Sequence, residues 1–381
     1  MPVQPTSSSC RFPRSSTERA VLSPLDRAAI VRAPKSLLHD HLDGGLRVDT
    51  ILEISDEIGH TPRLPTTDKA ALQAWFTAGA EARDLLKYLA TFEHTIACMQ
   101  SESHIERVAY EAVTDLANDG VVYAEIRYAP ELHAMPFAAS AAAVANGFRR
   151  AEADAAARGQ SISAHIIVCA MRTERRSTEV ARFVATERRR EPKIIAFDLA
   201  GAETGWPPSL HAEALELARH EHVNVTIHAS EPPDLELISD ALAHGAHRIG
   251  HGVRLNRDTT LSADGTLQLG PLARFVLDRQ IHLEMAPTCN TQIGAVNSVG
   301  EHPIGSFLRH GFNVSVNTDN RLMSNVSPSS EMLAVSTAFD LTWAEMGGLV
   351  ENAIGSGFAP YEQREAILRS VVRPWYDAAS R

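Results

Sequence analysis

The sequence predicts an α/β fold, a (β/α)8 TIM barrel in which strands and helices alternate around a closed parallel sheet. Three observations support this prediction. Eight strand-like runs alternate with helical patterns along the 381 residues. Most of these runs are continuously apolar and β-branched, as strands covered on both faces should be. Histidines and carboxylates collect where the runs end, which is the end at which such barrels build their sites.

The first strand lies within residues 36–44, where an apolar run leads into His-Asp-His-Leu-Asp-Gly. Helical patterns follow at 48–58, 69–79, 82–99 and 103–118, so extra helices are predicted after strand 1. The other strands are predicted at 121–128, 163–170, 194–200, 223–229, 248–254, 281–286 and 313–318. The helices between them are predicted at 140–158, 174–189, 209–221, 233–244, 271–279 and 303–310. Helices at 329–339, 343–354 and 361–371 would complete the outer layer at the C-terminus.

One barrel domain is predicted for residues 34–381, because no repeat or interdomain linker interrupts the pattern. Residues 1–33 are rich in Ser, Arg and Pro and lack the apolar segment of a secretory signal, so a disordered N-terminal extension is predicted. No stretch approaches the roughly 20 apolar residues of a membrane span. The net charge of −11 argues against a nucleic-acid partner. A cytoplasmic location is expected, and the oligomeric state is left open.

The first strand suggests a metal site. Side chains two residues apart on a strand share one face, so His39, His41 and Asp43 are expected to point the same way. Neutral imidazoles are frequent ligands of Zn²⁺, although a surface strand with two histidines is the ordinary alternative. In a closed barrel strand 8 pairs with strand 1, which would bring Asp319 beside them, and His228 can reach in from strand 5. Three histidines and one carboxylate suit one zinc ion per chain.

Two further strand ends carry acid/base groups. Glu231 follows strand 5 and His251 lies in strand 6, so both are expected beside the metal. Any one such residue has an ordinary explanation, since a strand-terminal Asp is often a helix cap and an isolated His is often a core residue. Five strand ends with such residues at one rim favour a site.

These motifs resemble those of the adenosine deaminase family in the metal-dependent amidohydrolase superfamily. The likeness extends from about residue 34 to near the C-terminus. The motifs appear in family order: Leu-His-Asp-His-Leu-Asp-Gly at 38–44, Asp-Leu-Ala-Gly at 198–201, His-Ala-Ser-Glu at 228–231, Arg-Ile-Gly-His-Gly at 248–252 and Asn-Thr-Asp at 317–319.

The resemblance implies zinc-dependent hydrolytic deamination of adenosine, and of 2′-deoxyadenosine, to inosine and ammonia in purine salvage. It implies Glu231 as the acid that protonates purine N1, with His251 and Asp319 orienting and deprotonating the zinc-bound water. The implied zinc ligands are His39, His41, His228 and Asp319. The implied substrate contacts are His41, Asp43 at a ribose hydroxyl, the Gly201 backbone at the purine and Asn320 at purine N7.

Three positions depart from the family pattern. Ser230 stands where the family usually has Gly, so its Cβ is expected either to crowd the purine ring or to require unusual backbone angles. Asn320 stands where a second Asp is common, and an amide can donate to N7 without being protonated. Ala202 replaces a common acidic residue and is interpreted as a neutral loop substitution.

Other interpretations remain open. The enzyme could deaminate another 6-aminopurine, such as adenine or a modified adenine nucleoside, although Asp43 and the inserted helices favour a ribosyl substrate. A non-catalytic nucleoside-binding barrel is disfavoured, because the four ligands and both acid/base groups are all present. Trp75 and Phe76 either line a lid over the nucleoside or pack in the core. Glu125 and Arg127 are expected to form an ion pair or a contact at the barrel rim.

Overall fold

The computed structural model describes residues 27–83, 85–232 and 234–381. Eight parallel strands form one sheet in the order β1-β2-β3-β4-β5-β6-β9-β10, and β7 and β8 form a separate antiparallel hairpin. The strands are Lys35–His41 (β1), Val121–Tyr128 (β2), Ser163–Met171 (β3), Ile194–Ala200 (β4), Asn224–Ala229 (β5), Arg248–His251 (β6), Thr259–Leu261 (β7), Leu267–Leu269 (β8), His282–Met285 (β9) and Val314–Val316 (β10).

The sheet closes where β10 meets β1. The backbone N–H of His41 donates to the carbonyl of Asp319 at 2.9 Å, and the N–H of Asp319 donates to the carbonyl of His39 at 2.9 Å. A parallel bridge between Asp40 and Asp319 marks the same seam. The predicted (β/α)8 barrel is therefore confirmed, and the seam brings the end of β10 against the end of β1.

Helices cover the barrel and extend it after β1 and at the C-terminus. They are Arg27–Arg32 (α1), Val48–Glu57 (α2), Lys69–Ala80 (α3), Leu85–Ala90 (α4), Phe92–Ala97 (α5), Glu102–Asn118 (α6), Phe137–Ala157 (α7), Ser177–Glu187 (α8), Ala212–His220 (α9), Glu236–Ala243 (α10), Pro271–Asp278 (α11), Pro287–Gln292 (α12), Ile304–Arg309 (α13), Arg321–Ser324 (α14), Pro328–Phe339 (α15), Trp343–Ser356 (α16), Tyr361–Ile367 (α17) and Arg373–Ala379 (α18). None of the helices in the described parts of the chain has the length and apolar character that crossing a membrane requires.

The helix predicted over residues 82–99 is two helices, so this prediction was wrong. The break lies at Thr91, whose backbone N–H and side-chain hydroxyl both bond to the carbonyl of Tyr88, at 3.1 and 2.7 Å. Such local bonds compete with the regular helical pattern and tighten the chain into a turn. The break separates α4 from α5, and both helices lie over the mouth of the barrel, where residues of each line the central cavity.

The strand predicted at 248–254 ends at His251. Gly252 follows in the left-handed region with φ of +64°, which glycine adopts readily, and its N–H bonds back to the carbonyl of Gly250 at 2.9 Å. A 3-10 helix over Val253–Asp258 and the hairpin of β7 and β8 then leave the barrel wall before β9 begins. The sequence pattern did not predict this excursion.

The N-terminal boundary also needs correction. Residues 1–26 of the predicted extension 1–33 lie outside the described residues. Residues Arg27–Arg32 form α1, in which Ile30 is fully buried. The prediction of a disordered extension was therefore wrong for these six residues. Lys35 anchors the helix, because its Nζ donates to the carbonyls of Ile30 at 2.6 Å and Ala33 at 2.8 Å. That residues 34–381 form a single domain stays a prediction.

Candidate active site

Four side chains converge at the carboxyl end of the barrel. The Nε2 atoms of His41 and His228 lie 3.1 Å apart. Asp319 Oδ1 lies 3.4 Å from Nε2 of His39 and 3.3 Å from Nε2 of His41. One donor atom from each of the four lies within 4.8 Å of the others. The structure thus brings together the four residues predicted as ligands, from β1, β5 and the turn after β10.

Two carboxylates behind the cluster orient its histidines. Glu284 of β9 accepts a hydrogen bond from Nδ1 of His39 at 2.9 Å, and Asp198 of β4 lies 3.2 Å from Nδ1 of His228. Engaging Nδ1 leaves Nε2 directed at the cluster, which is the usual arrangement behind a metal-binding histidine. Nε2 of His39 is buried without a hydrogen-bond partner among the described residues. This donor set, with neutral imidazoles and one carboxylate, fits a divalent cation such as zinc.

Glu284 is one residue of the site that sequence reasoning missed. It is fully buried and also accepts from Arg127 at 2.7 Å, Arg248 at 2.7 Å and Thr226 at 2.9 Å. A glutamate inside the apolar run 281–286 was the available signal. The network corrects one prediction, because Glu125 pairs with Arg248 at 2.6 Å and not with Arg127.

A second group lies beside the cluster. Oε1 of Glu231 is 3.4 Å from Nε2 of His251, and the two side chains and Asp319 offer atoms that all lie within 4.8 Å of one another. Burial, with the nearby charges of Asp319 and Glu203, raises the pKa of Glu231 well above its usual range. Burial would also raise the pKa of Asp319, but the neighbouring imidazoles of His39, His41 and His251 outweigh it and hold that pKa well below its usual range. Environments that separate two carboxylates in this way suit an acid and a base.

A chain of hydrogen bonds assigns the tautomer of His251. The N–H of Ile304 can only donate, and it lies 3.2 Å from Nδ1 of His302. Burial lowers the pKa of His302 to about 3, so its neutral ring carries the proton on Nε2, which donates to Oδ1 of Asn290 at 3.1 Å. The Nδ2 of Asn290 then donates to Nδ1 of His251 at 3.1 Å. A neutral His251 therefore presents an Nε2–H to the site.

A cavity of about 200 Å³ opens in front of the cluster. The predicted site residues that line it are His41, Asp43, Gly201, His228, Glu231, His251, Asp319 and Asn320. His39 is fully buried behind it. Strand β1 ends at His41, so Asp43 lies in the following turn and not on the same strand face as predicted, yet it reaches the same cavity.

The wall opposite the cluster is apolar and comes largely from α4 and α5. It includes Tyr88, Leu89, Phe92 and Ile96. Phe76 is fully buried and Trp75 packs against the core, so core packing was the correct alternative for these two residues. The lid residues were missed because their orientation depends on the break at Thr91.

Asn320 is held between the lid and the first motif. Its Nδ2 donates to the hydroxyl of Tyr88 at 2.6 Å. A Cβ at Gly44 would lie 2.0 Å from Oδ1 of Asn320, so the glycine that ends this motif is a steric requirement. Asn320 is thereby fixed at the cavity wall, as its predicted contact with a purine requires.

Ser230 has the unusual backbone angles that were one of its two predicted consequences. Its φ is +74°, and His251 and Asp319 share the left-handed region at +61° and +57°. The side chain of Ser230 is fully buried and is not among the described residues that line the cavity. Non-glycine residues in this region are uncommon and cluster at functional sites.

Fold and site together define a barrel enzyme of the metal-dependent amidohydrolase class. A family model described as adenosine deaminase matches residues 34–374. The chain therefore belongs to the adenosine deaminase family, whose members are hydrolases that act on carbon–nitrogen bonds, and it is an enzyme of that kind. The resemblance seen in the motifs is confirmed.

Curated relatives match almost end to end. The adenosine deaminase of Mycobacterium sp. (strain KMS) is 44% identical over 358 residues, which are 93% of this chain and 98% of the relative. The adenosine deaminase of Mycobacterium leprae (strain TN) is 44% identical over 356 residues, which are 92% of this chain and 98% of the relative.

Solved structures share the fold at lower identity. An adenine deaminase from Arthrobacter aurescens has a TM-score of 0.75 at 23% identity and covers 91% of this chain and 99% of its own. Arabidopsis ADAL complexed with IMP has a TM-score of 0.76 at 22% identity, with 92% and 98% covered. An amidohydrolase from Burkholderia ambifaria with bound Zn has a TM-score of 0.77 at 22% identity, with 96% of each chain covered.

Proposed function

We propose that this enzyme hydrolyses adenosine and 2′-deoxyadenosine to inosine, or deoxyinosine, and ammonia, with one zinc ion per chain. The observation that carries the proposal is the position of Glu231, whose Oε1 lies 3.4 Å from Nε2 of His251 beside a cluster of three histidines and Asp319 that could hold a metal. Relatives that share 44% of their residues are named adenosine deaminase, which supports the same substrate here.

The zinc would be held by the histidine–aspartate cluster. The ligands are His39, His41, His228 and Asp319. When bound, zinc supplies Lewis acidity that lowers the pKa of water towards about 7. The carboxylates behind His39 and His228 keep both rings in the tautomer that ligation requires.

The remaining chemistry is proton transfer by side chains of this chain. The neutral Glu231 carboxyl donates its proton to purine N1, which makes C6 open to attack by water. The Nε2–H of His251 donates a hydrogen bond that orients the attacking oxygen, so His251 in this tautomer is not the group that takes the proton. The Asp319 carboxylate takes one proton from the attacking water and passes it to the leaving amine, which departs as ammonia. The new C6 hydroxyl becomes the carbonyl of inosine as its remaining proton returns to Glu231, so both carboxyl groups end in their starting forms.

The cavity favours a nucleoside over a nucleotide. Three carboxyl groups line it, from Asp43, Glu231 and Asp319, and no Lys or Arg of the described residues does. A 5′-phosphate would find no lysine or arginine among the described lining residues to pair with, so nothing apart from the metal would offset the cost of taking its charge out of water. We assign Asp43 to a ribose hydroxyl, the Gly201 backbone to the purine and Asn320 to N7, with His41 beside the ring.

Parallel assays with adenosine, deoxyadenosine, adenine and AMP test the proposal, with ammonia release and loss of adenine-ring absorbance as readouts. We expect turnover of both nucleosides and a kcat/KM for AMP at least about 100-fold lower. Preference for adenine would favour the alternative of a free-base deaminase, and binding of adenosine without ammonia release would favour a non-catalytic barrel. A cytoplasmic role in purine salvage is part of the proposal and is tested by cell fractionation.

A further inference from the structure

We propose that Glu203 is a positioning residue for the general acid, an inference that rests on the role proposed for Glu231. Glu203 lies in the loop after β4 and is almost fully buried. Its Oε2 accepts the backbone N–H of Ser230 at 2.7 Å, and its Oε1 accepts the N–H of Glu231 at 3.2 Å. One carboxylate therefore accepts hydrogen bonds from two successive backbone N–H groups, those of Ser230 and of Glu231 itself. We call this pair of hydrogen bonds the Glu203 clamp.

The Glu203 clamp stabilises an unfavourable backbone conformation at Ser230. Ser230 has φ of +74°, where an L side chain is strained, and its buried hydroxyl finds no partner among the described residues that would favour this geometry. Successive N–H groups around a left-handed residue form a concave site for an anion, and the Glu203 carboxylate occupies that position. Hydrogen bonds to an ionised acceptor are roughly twice as strong as neutral ones, so the clamp can hold a strained residue in place.

Arg172 holds the same turn from the other side. It is fully buried, and its Nη2 donates to the carbonyl of His228. The turn from His228 to Glu231 thus has a cation on its first carbonyl and an anion on its last two amides. Glu203 is not among the described residues that line the cavity, so it acts on catalysis through Glu231 and not on the substrate.

Glu203→Gln tests the clamp, because glutamine keeps one acceptor oxygen but has an amide NH2 group in place of the other, and that group cannot accept a hydrogen bond. We expect kcat to fall roughly 10- to 100-fold, as a misplacement near 1 Å would cause, while KM changes less than about threefold. Glu152→Gln is the matched control. Glu152 accepts the N–H of Ala164 at 2.8 Å near the start of β3, at the opposite end of the barrel, and its loss should leave kcat within about twofold.

Coupling to Ser230 separates positioning from general damage. Glycine adopts positive φ without strain, so Ser230→Gly should relieve the need for the clamp. We compare the factor by which Glu203→Gln lowers kcat in two backgrounds. We expect this factor to be at least about fivefold smaller in the Ser230→Gly background than in the wild type. Equal losses in both backgrounds, or wild-type kcat in Glu203→Gln, would overturn the proposal. If Glu203→Gln does not fold, Glu203→Asp, which keeps the charge but withdraws it by one methylene, is compared in the same two backgrounds.

Hydrogen exchange supplies a readout that needs no turnover. In substrate-free protein, peptides spanning residues 228–232 should exchange faster in Glu203→Gln, and unchanged exchange would overturn the clamp. If the wild type fails to deaminate adenosine, the proposed function falls, and exchange alone still decides whether Glu203 holds the turn. If the wild type is active and exchange is unchanged, the clamp falls and the proposed function stands.

Discussion

Replacing Glu231 by glutamine keeps the size of the side chain but removes its acidic proton. Oε1 of Glu231 lies 3.4 Å from Nε2 of His251, and burial raises the pKa of Glu231 well above its usual range, which favours the protonated form that a general acid needs. A glutamine amide does not release a proton on the time scale of water attack. The purine N1 would then stay unprotonated, and C6 would remain a poor electrophile.

The size of the effect follows from the role of the group. General acid catalysis typically contributes about 10²–10⁴-fold, which is about 3–5 kcal/mol of barrier, so kcat should fall by that amount. Glu231 lies outside the cluster of three histidines and Asp319, so zinc content should not change. Nucleoside affinity should stay within roughly tenfold, because the glutamine can still contact the ring edge.

The assay measures zinc content and kcat side by side for Glu231→Gln and Asp319→Ala. Asp319→Ala should lose both, because a ligand and a base vanish together. Glu231, His251 and Asp319 form a second group that could hold a metal, so loss of zinc in Glu231→Gln would mean that the metal sits there instead. That result, or a near wild-type rate, would refute the division of roles.

Four more variants or treatments test other parts of the structure. Ser230→Gly should change kcat/KM for adenosine less than about threefold, because the side chain lies outside the cavity; a large loss in steady-state assays would give the hydroxyl a positive role. Glu284→Gln should weaken zinc affinity roughly 10- to 100-fold by releasing Nδ1 of His39, and an unchanged affinity in competition with a chelator would contradict this. Chelation should abolish activity and lower the melting temperature, with zinc restoring both; activity in a sample shown to be metal-free would exclude the cluster as the zinc site. Burial raises the pKa of Glu331 from 4.5 to about 7. Below pH 4.5 the protonated carboxyl therefore adds roughly 3 kcal/mol to the free energy of unfolding, and this contribution is lost as the pH rises to 7. Urea unfolding across that range should show the loss in the wild type and not in Glu331→Gln.

The barrel and its ligand cluster could be predicted because both follow from local pattern. Buried parallel strands appear as apolar runs, and barrel closure alone places the end of β10 beside β1, which brings Asp319 to His39. Asp43 shows the limit of that reasoning, since the strand ends two residues before it and a turn, not strand periodicity, directs its side chain.

The missed features depend on tertiary partners. Glu284 reads as an isolated polar residue in β9, and its role appears only when β1, β2 and β6 bring His39, Arg127 and Arg248 to it. Glu125 and Arg127 share one face of β2, yet each finds its partner across the barrel instead. Pattern within one strand carries no information about which strand supplies the counter-ion.

The ion pairs that surround His39 leave the barrel interior short of positive charge. Two guanidinium groups, from Arg127 and Arg248, are linked through this network to four carboxylates: Glu125, Asp198, Glu284 and Asp319. When the histidines are neutral, as metal ligation requires, this network carries two negative charges in excess. A divalent cation would make the interior electroneutral, whereas a monovalent ion would not. We therefore expect the charge of this network, as well as its ligand atoms, to favour a divalent cation, and we expect bound metal to stabilise the folded state.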